Sequence, residues 1–129
     1  GPDAELLQNT AGITCYGYLS AQEIRQLIAS ASIYLSTSHD EGLGLPLLEL
    51  QYSGIAVVAA NIPVFAEVLG DSGLLLDVSK TEQAAEQIIA FCQNRALLQQ
   101  QPELALQNIQ RWNHLAAADK AAAAQFFQG

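Results

Sequence analysis

The run Ile55-Ala-Val-Val-Ala-Ala60 is apolar at every position. A strand with one wet face alternates, whereas a strand covered on both faces does not. The segment therefore reads as a buried parallel strand, and a parallel sheet needs crossover helices to cover it. The rest of the chain supplies them. Ile13–Tyr18 reads as a short strand. Ser20-Ala-Gln-Glu23 is a capping box opening a helix, which repeats Ile24, Leu27, Ile28 and Ala31 on one face. Ser32–Ser36 is the next strand, followed by a helix running to about Ser53, with Gly54 as its stop. Pro63–Leu69 is a short helix and Gly73–Asp77 a further strand. Ser79-Lys-Thr-Glu82 is a second capping box, and the helix it opens is expected to bury Ala85, Ile88, Ile89 and Cys92.

This alternation predicts an α/β fold, a Rossmann-like parallel sheet flanked by helices, with a helical C-terminal segment. Three parts are expected: a leader at 1–11 whose Gly1-Pro2 reads as the scar of tag removal, an α/β domain at 12–94 and a helical segment at 95–129. Pro102 is expected to break or kink the last of these. Leu97, Leu98, Leu104, Leu106, Ile109, Trp112, Phe126 and Phe127 need an apolar surface to pack on. Trp112 reads as a core or interface residue rather than a base-stacking one.

Between the second strand and its helix stands Glu41-Gly-Leu-Gly-Leu-Pro-Leu-Leu-Glu49. Pro46 suits a first helical position, and Gly42 and Gly44 leave backbone N–H groups unshielded at the positive end of the helix dipole. Bare amides at a helix start suit phosphate, and flanking carboxylates accept hydrogen bonds from hydroxyls. Phosphate between hydroxyls describes a sugar nucleotide. Read without that block, Glu41 and Glu49 are two ordinary charges. In an open parallel sheet the ligand lies beyond the carboxyl ends of the strands, where this block falls. His39 stands beside it, either as a solvated loop residue or within reach of a phosphate or acceptor. Glu67 reads as a capping or surface charge and Asp71 as a turn residue with Gly70 and Gly73.

A net charge of −8 disfavours nucleic acid and anionic membrane surfaces. No Lys or Arg lies between Arg25 and Lys80, so phosphate binding there rests on backbone amides, and any cation must arrive from elsewhere in the fold or from outside the chain. Cys15 and Cys92 read as buried reduced thiols in a reducing compartment, with no metal pattern around them. No apolar run is long enough to span a bilayer.

The Glu41–Glu49 block, preceded by Ser38 and followed by Gly54 and Ala56-Val-Val58, resembles the C-terminal, donor-binding domain of GT-B fold glycosyltransferases, family 4 type. Phe65-Ala-Glu-Val-Leu-Gly-Asp-Ser-Gly73 is similar to a second segment of that family. The resemblance covers about residues 12–92. It implies that Glu41, in the catalytic role, holds the donor sugar's hydroxyls. It further implies that Gly42, Leu43, Gly44 and Leu45 offer N–H groups to the sugar and diphosphate, and that Glu49 accepts the ribose hydroxyls. The implied reaction is retaining transfer of a sugar from a UDP- or GDP-sugar to an acceptor, without metal or cofactor, in the cytoplasm. Leu43 stands where the family often has an aromatic residue, and Ala66 where it usually has Pro. The family's diphosphate-gripping Arg and Lys and its N-terminal acceptor domain are not in this sequence. The chain is therefore expected to be a truncated donor domain, inactive alone, with the acceptor domain of the same parent chain as its partner. The alternative is a non-catalytic glycosyltransferase-like binding or interaction module.

Overall fold

A computed structural model describes residues 7–37 and 47–128, with side chains described as far as residue 121. The elements in order are α1 (Ala21–Ser30), β1 (Ile33–Ser36), α2 (Leu47–Tyr52), β2 (Ala56–Ala60), α3 (Pro63–Leu69), β3 (Leu74–Leu76), α4 (Thr81–Gln93) and α5 (Arg95–Gln128). The three strands form one parallel sheet in the order β1-β2-β3. Ile33 is level with Ala56, and Val58 with Leu74. The α/β class expected from the sequence is the class observed.

β2 is buried at all five positions, and its two faces feed two cores. Val57 and Ala59 pack with Leu47, Leu50, Phe65 and Leu69 on one side. Ala56 and Val58 pack with Leu76, Ala84 and Phe91 on the other. Each fully buried Leu, Val or Phe contributes about 1.5–3 kcal/mol, so these two clusters supply most of the drive to fold. α5 packs against α2, β2 and α4, and its Leu97 and Leu98 join the second core. Gln101, Ala105, Asn108 and Ile109 are its buried stripe, at helical spacing.

Several expectations are corrected. Residues 13–17 form no strand. Ile13 and Tyr16 are exposed and Tyr18 is almost fully so, so the period-two pattern there has no buried face to define it. The first capping box holds at its N-cap: Ser20 Oγ accepts from the Glu23 N–H at 3.2 Å. The second does not form. α4 begins one residue after Lys80, which has no side-chain cap, because Ser79 turns back to Asp77. The Ser79 hydroxyl and N–H both donate to Asp77 Oδ1. The hydroxyl bond first, then the backbone bond and Lys80, hold the Asp77 carboxyl below its usual 3.8. Since the folded value is the lower one, this contribution is full above 3.8 and is lost as pH falls through the folded value.

α4 buries Ala84 and Phe91, with Ile88 half-buried, whereas Ala85, Ile89 and Cys92 are exposed. Phe91 offers more apolar area than Cys92 and turns the helix about one residue from the expected face. The two thiols are accordingly not both buried: Cys15 is half-buried and Cys92 exposed. Pro102 does not break α5, which runs on through it. Pro102 denies the Leu98 carbonyl its usual donor. Beside it, Gln101 Nε2 donates to the Leu97 carbonyl at 3.3 Å and its Oε1 accepts from the Gly73 N–H at 3.2 Å, tying the turn to the sheet. Phe126 and Phe127 have side chains outside the described residues.

Gly54 and Gly73 both sit at positive φ, +82° and +73°. An added Cβ at Gly54 meets nothing, but at Gly73 it comes 2.7 Å from the Val57 carbonyl oxygen of β2. Gly54→Ala should therefore cost about 1 kcal/mol, from backbone conformation alone. Gly73→Ala should cost about 3 kcal/mol, since backbone strain and a clash with a central strand add. Urea unfolding of both variants measures the difference.

Candidate functional site

Glu41, Gly42, Leu43, Gly44 and Leu45 lie outside the described residues, as do Ser38, His39 and Pro46. Glu49 is described, and the local sequence explains where it points. α2 sends Leu47 and Leu50 into the core, at 2% and 1% exposure. Glu49 falls on the opposite side of the helix wheel from that pair and projects outward, with 46% of its side chain exposed. Its place in the first turn puts its charge at the favourable end of the dipole.

Outside that helix Glu49 meets a cation. Arg25 Nη2 lies 3.5 Å from Glu49 Oε1. Both line a groove of about 940 Å³ whose walls include Tyr18, Leu19, Ile24, Ile28 and Tyr34. The apolar face of α1 lines the groove, with Ile28 half-buried against the first core and no residue of the helix fully buried. Among the described residues the floor is largely apolar and the rim carries the Glu49 carboxylate and the Arg25 guanidinium. Such a site takes a flat or apolar group inside and hydroxyl or phosphate oxygens at its edge.

The sequence did not point to Arg25 as a site residue, because 24 positions separate it from Glu49. It does mark the nearer end of the long stretch without Lys or Arg. Its position next to Ile24, beside the apolar stripe of α1, is the signal available. Glu67 and Asp71 are exposed, and the Glu67 carbonyl rather than its carboxylate is engaged, accepting from Arg111 at 3.0 Å. Trp112 is structural, its Nε1 donating to the Val68 carbonyl at 2.9 Å. Among the described residues, no three His, Cys, Asp or Glu side chains gather where a metal ion could sit. No described helix is long and apolar enough to cross a membrane.

The profile of the family described as glycosyl transferases group 1 matches residues 3–107. The chain belongs to that family. This agrees with the resemblance carried by the Glu41–Glu49 block. Over 78 residues the chain is 33% identical to O-antigen chain mannosyltransferase B of Escherichia coli, covering 60% of this chain and 20% of that protein. It is 35% identical over 75 residues to O-antigen chain mannosyltransferase RfbU of Salmonella typhimurium, covering 57% and 21%. It is 28% identical over 74 residues to GDP-mannose:cellobiosyl-diphosphopolyprenol alpha-mannosyltransferase of Xanthomonas oryzae pv. oryzae, covering 56% and 20%. This group 1 glycosyl transferase chain spans about a fifth of the length of these curated relatives. No solved structure gives a significant match.

The Arg25–Glu49 pair is exposed at both ends, so its worth to the fold is small. Arg25→Gln should change the unfolding free energy by less than about 1 kcal/mol, and added salt should shrink even that. Denaturant titration at low and high ionic strength measures both.

Proposed function

We propose that this chain supplies the donor-binding side of a retaining glycosyltransferase that transfers a sugar from a nucleotide sugar. The observation that carries the proposal is the placement of Glu49. It stands half-exposed on the helix after β1, at the rim of an apolar-floored groove and beside Arg25. Family membership and the mannosyltransferase names of the relatives support sugar transfer as the chemistry.

In this reading Glu49 accepts the two ribose hydroxyls, exchanging its exposed contact with Arg25 for them. Arg25 is then free to face the diphosphate. The amides of Gly42 to Leu45 bind the diphosphate and sugar, and Glu41 holds the sugar hydroxyls near the reacting carbon. Leaving-group charge is met by amides, helix dipole and guanidinium, so the reaction needs neither metal nor cofactor. A UDP- or GDP-sugar is the donor, and GDP-mannose is the first to test, because one relative's name specifies it. In this reading the 129-residue chain binds the nucleotide, and transfer also needs an acceptor-binding side that the groove does not provide. A cytoplasmic location fits the supply of nucleotide sugars.

Transfer assays on the full-length protein, with GDP-mannose and UDP-sugars and with Glu41→Ala and Glu49→Ala, test the proposal. Glu41→Ala should abolish transfer while leaving the circular dichroism spectrum unchanged. Glu49→Ala should weaken nucleotide binding by about 1–3 kcal/mol, the cost of losing an acceptor for two hydroxyls. Undiminished transfer by Glu41→Ala would remove the catalytic role. Binding without transfer in the full-length wild type would favour a non-catalytic module.

A further inference from the structure

α2 carries two polar side chains with opposite surroundings. Glu49 projects into the groove, whereas Gln51, two residues on, is 4% exposed on the far side of the same helix. Both ends of the Gln51 amide are held. Its Nε2 donates to Ser72 Oγ at 2.7 Å, and its Oε1 accepts from Asn108 Nδ2 at 2.7 Å. The two partners are buried and are themselves anchored. Ser72 Oγ donates to the Leu69 carbonyl at 2.6 Å, and Asn108 Nδ2 also donates to the Val68 carbonyl at 2.9 Å. Arg111 Nε and Nη2 donate to Asn108 Oδ1 at 3.2 and 2.9 Å, which fixes the way the Asn108 amide faces.

Leu47 and Leu50 decide which face of α2 turns inward, but apolar contact is non-directional and permits small rotations and slides. A buried amide bonded at both ends does not, because turning the helix breaks both bonds and strands desolvated groups. We infer that Gln51 and Asn108 are positioning residues for Glu49, pinning the rotation of α2 from α5 and thereby setting where the carboxylate stands in the groove. The inference rests on the reading of Glu49 as the ribose acceptor. Neither Gln51 nor Asn108 lines the groove.

The test uses the 129-residue chain. Affinities for GDP and UDP are measured by calorimetry in wild type, Asn108→Ala and Gln51→Leu/Asn108→Leu, each with Glu49 present and as Glu49→Gln. The double Leu variant keeps an apolar contact between α2 and α5 and leaves Arg111 its carbonyl partners at Glu67 and Val68. It therefore carries the test if Asn108→Ala fails to fold. With Glu49 present, either variant should weaken binding about tenfold. In the Glu49→Gln background the same changes should add less than about twofold, because the aim of an absent carboxylate no longer matters. A purely structural role would lower affinity equally in both backgrounds. Equal losses, or unchanged affinity in a folded variant, would overturn the inference.

Amide exchange at Ser53 and Gly54, which close the end of α2 on the Leu50 and Gln51 carbonyls, is read in parallel. It should accelerate about tenfold in the variants while the β2 amides keep their protection. Should the wild type bind neither nucleotide, the ribose reading fails by itself. The exchange data then decide alone: acceleration supports the pinning of α2, and unchanged exchange overturns it.

Discussion

Everything in this fold is arranged around the need to cover β2. A five-residue strand with every side chain buried has water on neither face nor edge. β1 and β3 take its two edges, α2 and α3 cover one face, α4 and the start of α5 cover the other, and α5 runs on against α2. Three of its five residues are alanine, and that small size lets the layers close on it. Because the covering is by parallel crossover units, the chain must leave the carboxyl end of each strand at the same edge of the sheet. That edge is where β1 passes into the segment leading to α2, and so where Glu49 comes to stand.

Much of this was legible in the sequence, and the reasons differ by element. β2 was readable because an unbroken apolar run has few alternatives in a βα-alternating chain. Pro63–Leu69 carried its own start signal, and Gly54 its own stop. What sequence missed involved competition between local bonds. Ser79 had two possible partners, the N–H groups of the following helix or Asp77, and the shorter loop to Asp77 won. The contact face of α4 depended on whether Phe91 or Cys92 faces the core, a choice made by the shape of the opposing sheet. Pro102 was read as an interruption because its tertiary support was invisible. Gly73, nearly thirty positions away, meets the neighbouring Gln101.

The candidate site shows the same division. Glu49 stood out because its spacing from Glu41 and the glycines between them is a local pattern. Arg25 did not, because it belongs to another helix and meets Glu49 only through the fold. The polar residues that hold α2 were likewise unmarked. A lone Gln, Ser and Asn on three different elements carry no spacing signal until the elements are brought together.

The family profile ends at residue 107, one position short of Asn108. Yet the Val68 carbonyl at the end of α3 is met by Asn108, Arg111 and Trp112, all past that limit. The stretch matched by the family profile and the hydrogen bonds that hold α3 to α5 therefore end at different places along this polypeptide. A piece trimmed at residue 107 would retain the three strands while shedding the side chains that donate to the Glu67 and Val68 carbonyls.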